Sequence, residues 1–273
     1  MKRLIFAAVG LALVVGAAAG FPAPSTASGQ ITEIIDRTGD GVGNTLDDPY
    51  GIAVEGNGNV YVTGESSSNA FKIAAGGVIT EIIDSTGDGV GNTLGSAIRI
   101  AVDGNGNVYV TGWGSDNAFK ITSGGVITEI IDSTGDGVGN TIDSPYGIAV
   151  DGNGNEYVTG SGSNNAFKIT SGGVITEIID STGDGVGNTL GSPMGIAVDG
   201  NRNVYVTGAE TDNAFKIAAP LAVGGIAELP ALAGPPGGSG MGGVTYAVLA
   251  GAAAGVLAFA VLATLSVRRW RVR

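Results

Sequence analysis

Short apolar runs separated by glycine-rich polar turns fill the chain from residue 31 to residue 217. In one stretch they read GIAVD at 147–151, NEYVTG at 155–160, NAFKIT at 165–170 and GVITEII at 173–179. Each is strand length and rich in β-branched or aromatic residues. DGNGN and TSGG between them supply Gly and Asn, which accept positive φ in hairpin turns. Three short connections predict a four-stranded antiparallel meander. A longer glycine-rich segment, DSTGDGVGNTLGSP, leads to the next such group. Nothing in this region has the period of a helix.

The pattern repeats. ITEIID begins at Ile31, Ile79, Ile127 and Ile175, a constant spacing of 48 residues. A fixed period of this size marks a repeat architecture, in which each unit buries its apolar face against a neighbour. Four strands in 48 residues predict one blade of a β-propeller. The fold class is therefore all-β, a four-bladed β-propeller with repeats at 31–78, 79–126, 127–174 and 175–217.

The array starts with the fourth strand type at Ile31 and ends with the third at Asn213 to Ile217. The first segment is thus expected to complete the last blade, joining the chain ends in one sheet and closing the ring. The alternative is a homodimer in which two chains share an eight-bladed ring.

The flanks differ from the array. Lys2 and Arg3 precede an apolar run at 4–19, followed by small residues, as in a secretory signal peptide over 1–20 with a linker at 21–30. Residues 218–243 form a Pro/Gly/Ala linker. The 24 residues of 244–267 carry no charge, and as a helix they span a bilayer core of about 30 Å. Arg268, Arg269, Trp270, Arg271 and Arg273 follow, predicting one C-terminal transmembrane helix with a cytoplasmic basic tail at 268–273. LPALAG at 229–234 resembles a sortase motif of the LPxTG type, with Leu232 in place of Thr and Ala233 in place of Gly. A retained anchor is therefore preferred to covalent attachment. The propeller is expected outside the cytoplasm.

Charge and composition narrow the chemistry. Between Glu33 and Glu228 stand 25 acidic and 7 basic residues, a net of −18. Nucleic acid is a poor partner for such a surface. The chain has no cysteine and no histidine. Disulfides and thiolate chemistry are excluded, and so is the side chain that most often moves protons near neutral pH. A metal would need oxygen ligands, which favours calcium.

PYGIAVEGNGNVYVTG from Pro49, PYGIAVDGNGNEYVTG from Pro145 and PMGIAVDGNRNVYVTG from Pro193 resemble NHL repeats and the related SMP-30-like propellers. The resemblance spans residues 31–217. The second repeat departs from it, with Ala97 in place of Pro and Arg99 in place of Gly. It implies a binding platform or, in some members, lactonases and lyases that depend on histidine or on calcium in a central channel. Six blades are usual in that group, against four repeats here.

Two sets of candidate residues follow. The loop from Asp36 has oxygen-bearing residues where an EF-hand loop needs them: Asp36, Thr38, Asp40, Asn44 and Asp47, with Gly41 at the turn. Asp132, Asp136, Asn140 and Asp143 repeat the pattern, whereas Gly95 and Gly191 end the other two loops. Calcium is the possible cofactor. The competing account is a turn whose Asp and Asn side chains bond their own backbone.

The second set lies where repeats differ, in loops expected on one face: Tyr50, Tyr146 and Met194 with Arg99, and Trp113 to Asp116. Tyr50, Arg99, Trp113, Asp116, Tyr146 and Met194 form the expected ligand surface. The acids ending the inner strands, Glu55, Asp103, Asp151 and Asp199, are equivalent by repeat and read as structural. No catalytic constellation is evident. The expected function is a membrane-anchored surface module that binds a protein or glycan. The alternative is a calcium-dependent hydrolase or lactonase of the SMP-30 kind.

Overall fold

A computed structural model describes residues 30–219, with Ala247–Leu249 and Ala260–Leu262. The first sheet comprises β1 (Pro49–Val54), β2 (Val60–Gly64), β3 (Asn69–Ile73) and β4 (Ile79–Ile83). The second comprises β5 (Ala97–Val102), β6 (Val108–Gly112), β7 (Asn117–Ile121) and β8 (Ile127–Ile131). The third comprises β9 (Pro145–Val150), β10 (Glu156–Gly160), β11 (Asn165–Ile169) and β12 (Ile175–Ile179). The fourth has β13 (Pro193–Val198), β14 (Val204–Gly208) and β15 (Asn213–Ile217). All four are antiparallel meanders in chain order. This is the repeated four-stranded sheet that the 48-residue pattern predicts, with the last sheet one strand short.

The turns carry their own hydrogen bonds. In the 84–94 loop, Asp84 Oδ1 accepts from the Thr86 N–H at 2.8 Å and from Thr86 Oγ at 2.5 Å. Asp88 Oδ1 accepts from the Val90 and Asn92 N–H groups. Gly87 makes the fold-back possible: its φ is +64°, and a Cβ there would lie 1.9 Å from the Asn92 carbonyl oxygen. Gly89, at φ +73°, has open space around it.

The apolar core lies between sheets. Tyr61, Ala70 and Ile83 of the first sheet pack with Leu94, Ile100, Val110 and Phe119 of the second repeat. Tyr109, Ala118 and Ile131 pack in the same way on the third repeat, and Tyr157, Ala166 and Ile179 on the fourth. Burying each large apolar side chain contributes about 1.5–3 kcal/mol. Tyr61, Tyr109 and Tyr157 are 1%, 0% and 2% exposed, whereas Tyr205, the equivalent of the last sheet, is 39% exposed.

Hydrogen bonds repeat along with this packing. Thr63 Oγ accepts from the Gly51 N–H and donates to the Ile98 carbonyl of the next sheet, at 2.8 and 2.9 Å. Thr111 does the same between Arg99 N–H and Tyr146 O, at 3.1 and 3.0 Å. The inner strands thus pack in series: β1 on β5, β5 on β9, and β9 on β13. Glycine permits the approach, since a Cβ on Gly51 would lie 2.5 Å from Ile98 O, and one on Gly147 would lie 2.6 Å from Met194 O.

Closure within one chain is not seen among the described residues. Residues 30–36 carry no strand, β15 has β14 as its one partner, and no comparable packing joins β13 to β1. The same junction recurs three times and fixes the step between sheets. These three steps do not bring β13 onto β1. Ile35 instead packs with Val60, Ile79 and the Leu46–Phe71 cluster of the first sheet.

The expected signal peptide, the LPALAG motif and most of the expected anchor lie outside the described residues. Within 244–267, where a helix is expected, Ala247–Leu249 and Ala260–Leu262 are strands paired antiparallel. The β-branched Val248 and Val261 in these two runs suit a strand. No helix among the described residues is long and apolar enough to cross a membrane.

Two outcomes follow for urea unfolding. Gly89→Ala should cost about 1–2 kcal/mol from left-handed backbone alone. Gly87→Ala should cost about 1–3 kcal/mol more, because its Cβ meets backbone. Thr111→Val should cost about 1–3 kcal/mol for each of the two buried groups it leaves unpaired, while Thr111→Ser should recover most of the loss.

Candidate functional site

The inner strands begin with a break in register against their partners, between Pro49 and Ile52 in β1 and between Ala97 and Ile100 in β5. Such bulges re-aim side chains at the end of a strand. The residues set there are Tyr50 of β1, Arg99 of β5 and Tyr146 near the start of β9. The Arg99 guanidinium carbon lies 5.1 Å from the Tyr50 ring centroid and 5.0 Å from that of Tyr146. The two rings meet edge to face with centroids 6.0 Å apart, and their hydroxyls are hydrogen-bonded to each other. Burial and the Tyr50 hydroxyl push the Tyr146 phenol up from its ordinary value, against the opposing pull of the Arg99 charge.

Arg99 has no carboxylate partner among the described residues, whose ion pairs are Arg37–Asp47 at 2.9 Å and Lys120–Glu156 at 3.2 Å. In a segment with a net charge of −18 this is an isolated cation held by aromatic faces.

Of the six expected surface residues, the structure gathers Tyr50, Arg99 and Tyr146. Trp113 is exposed on the β6–β7 turn, and the rings against Arg99 are those of the tyrosines. Met194 takes the place of the tyrosines in the fourth repeat and is exposed. Asp116 serves another purpose: its Oδ1 accepts from the Ser144 N–H of the next repeat at 2.8 Å. Ser68 and Asn164 make the same bond to Ser96 and Ser192. These junction residues were hidden in the sequence because a serine, an aspartate and an asparagine share the role. The one signal was their common place in the repeat.

The loops expected to hold calcium use their oxygens otherwise. Asp36 Oδ1 faces the Thr38 N–H and hydroxyl, while Asp40 faces the N–H groups of Val42 and Asn44 and the Asn44 amide. Asp136 and Asn140 repeat the second pattern, and Asp132 the first. Asp47 pairs with Arg37, and Asp143 accepts from Ser144 Oγ. Among the described residues no group of three acidic side chains gathers as a metal site would need. The loop oxygens face backbone and side-chain donors rather than one another.

The acids at the ends of the inner strands also close turns. Asp151 accepts from Asn153 N–H at 2.9 Å, Asn155 N–H at 3.0 Å, Asn155 Nδ2 at 2.7 Å and the Tyr157 hydroxyl at 3.1 Å. Burial raises its carboxyl, and these bonds together outweigh burial and hold it below the usual aspartate range. Burial and the charge of the nearby carboxylate push the Tyr157 hydroxyl up to about 12. Glu81, Glu129 and Glu177 run the other way: burial raises them more than their asparagine partners lower them.

The beta-propeller repeat family model SBBP matches three segments, 37–72, 89–120 and 135–168. The NHL and SMP-30 resemblance narrows accordingly to a propeller repeat. Among curated proteins none matches the chain. Solved structures that resemble it include virginiamycin B lyase from Staphylococcus aureus, at 22% identity and TM-score 0.46, over 64% of this chain and 56% of that one. A streptogramin B lyase has 19% identity and TM-score 0.48 over the same shares. An auxiliary nutrient binding protein from Bacteroides thetaiotaomicron has 14% identity and TM-score 0.46, over 62% of this chain and 47% of that one. The chain thus spans under two thirds of each of these proteins. Likeness this distant says nothing of activity.

A carboxyl depressed by folding contributes stability that is present above its unfolded value and lost as pH falls through its folded value. Asp151→Asn should therefore be less stable than the parent at pH 7, by about 1–3 kcal/mol, because an amide cannot accept all four bonds. The gap should narrow below pH of about 4, where aspartate ordinarily protonates. Urea unfolding from pH 7 to pH 3 reads both limbs. The raised glutamates oppose this trend: they regain stability as pH falls through their folded values.

Proposed function

We propose that the repeat array is an exported binding module that takes a carboxylate-bearing sugar at Arg99. The observation that carries this reading is the Arg99 guanidinium flanked by Tyr50 and Tyr146 and paired with no acid among the described residues. A guanidinium presents donors in a planar fork that matches a carboxylate, and the exposed Tyr50 beside it offers an apolar surface to a sugar ring. The acidity of the surroundings disfavours a polyanion, so the ligand carries a single carboxylate on an otherwise neutral body. Display at a membrane is part of the proposal. It rests on the signal-like N-terminus and on the uncharged length of 244–267, followed by arginines.

The hydrolase alternative finds less support. The acids equivalent by repeat are engaged in their own turns, as the four bonds to Asp151 illustrate.

The test is calorimetric titration of the full chain in mild detergent with glucuronate, and with glucose as the neutral control. Glucuronate should bind and glucose should bind at least about tenfold more weakly, in line with about 1.5–3 kcal/mol for a charged hydrogen bond. Arg99→Ala should abolish the preference, and Arg99→Lys should recover part of it. Equal heats for the two sugars, or a preference unchanged by Arg99→Ala, would overturn the proposal.

A further inference from the structure

We infer that two copies of this chain close one ring, with the open face of the fourth sheet of each copy docked on the first sheet of the other. The three junctions inside the chain show what that face is built to meet. At each of them a side chain from the turn between the second and third strands accepts from a backbone N–H of the next repeat: Ser68 from Ser96, Asp116 from Ser144, Asn164 from Ser192. By the 48-residue period the next pair is Asp212 with the Asp48 N–H. Neither group makes this bond within the described residues.

Two further bonds follow the same rule. Thr63 and Thr111 donate to the carbonyls of Ile98 and Tyr146. The corresponding donor of the last sheet is Thr207, which accepts from the Gly195 N–H, and the corresponding carbonyl is that of Tyr50. Asn69, Asn117 and Asn165 each donate to a fourth-strand glutamate, Glu81, Glu129 and Glu177. Asn213 has the first of its two usual acceptors, Thr189 O, and its glutamate by period is Glu33.

The apolar surfaces agree. Tyr205 stands exposed where Tyr61, Tyr109 and Tyr157 are covered. On the first sheet, Ile52 is 65% exposed, against 8% and 9% for its equivalents Ile100 and Ile148. Ile35 is equivalent to Ile83 and already packs on the first sheet as Ile83 packs on the second. The segment before Asp36 therefore rests where the fourth strand of a preceding sheet belongs.

The occupant is a second copy because the missing neighbour on both faces has the chemistry of this chain. Three junctions leave β13 away from β1, so the described residues do not supply that neighbour within one chain. Two copies related by a two-fold axis satisfy both open faces at once and leave no free edge.

Engineered cysteines test this cleanly, since the chain has none of its own. Asp48→Cys and Asp212→Cys are introduced into separate full-length chains, mixed in mild detergent and oxidised. The internal control is Ser68→Cys with Ser96→Cys in one chain, across a junction that the structure contains. The mixed single variants should give a covalent dimer, and a chain carrying both Asp48→Cys and Asp212→Cys should give one with two bonds between the copies. Light scattering of the unmodified chain, after subtraction of detergent, should give twice the chain mass. A disulfide inside a single chain would overturn the proposal in favour of closure in one copy. A ladder of higher species would overturn it in favour of an open filament. A monomer by light scattering, with the control pair linked and the test pair not, would overturn it outright.

Discussion

One hydroxyl at each of the first two junctions sets the architecture. The threonine of Val-Thr-Gly sits fully buried in β2 and β6, holding a backbone N–H of its own inner strand and a carbonyl of the next. A buried hydroxyl with both roles satisfied is stable, while a buried group left unpaired costs about 1–3 kcal/mol. The bond therefore fixes the distance and angle between neighbouring inner strands. At Gly51 and Gly147 a side chain would meet the neighbouring backbone, whereas the junction between β5 and β9 keeps its bonds with the side chain of Arg99 in place. The tyrosine–isoleucine–phenylalanine packing between sheets then fills the space that this bond defines.

Arg99 is instructive against that background. It stands where Gly51 and Gly147 stand, yet its N–H keeps the bond to Thr111 and Thr111 keeps the bond to Tyr146 O. The junction is retained and the side chain projects between two tyrosines. A position whose backbone is fixed by the repeat and whose side chain is not can acquire a binding role without disturbing the scaffold. The first sheet and the third each contribute a tyrosine, so the cluster depends on correct stacking of three sheets.

Strands, turns and repeat boundaries were legible in the sequence because they depend on local pattern. The alternation in VYVTG and NAFKI gives the strands, and Gly and Asn give the turns. The Asp and Asn of the DSTGDGVGN loop were legible only as acceptors, since spacing does not tell whether a carboxylate faces a cation or its own backbone N–H. The structure shows backbone for Asp40 and Asp136. Tyr50, Arg99 and Tyr146 are legible as positions where the repeats differ, but their meeting in one cluster without Trp113 is not. Sheets that stack bring together equivalent positions of successive repeats, and Trp113 lies on a different turn. Whether the series closes depends on a small angle repeated at each junction, and no residue encodes that angle by itself.

The near identity of the four repeats has an evolutionary consequence. Every strand pairs inside its own sheet, and successive sheets meet through the same few side chains. Loss or duplication of 48 residues by recombination between copies would join a repeat end to an equivalent repeat start. The new seam would have the same threonine, the same glycine loop and the same tyrosine as the old ones. The length of such an array is therefore free to drift in units of one repeat, with little selection from folding at the seam. Selection on length acts instead through the two terminal faces, whose exposed Ile52 and Tyr205 must be covered.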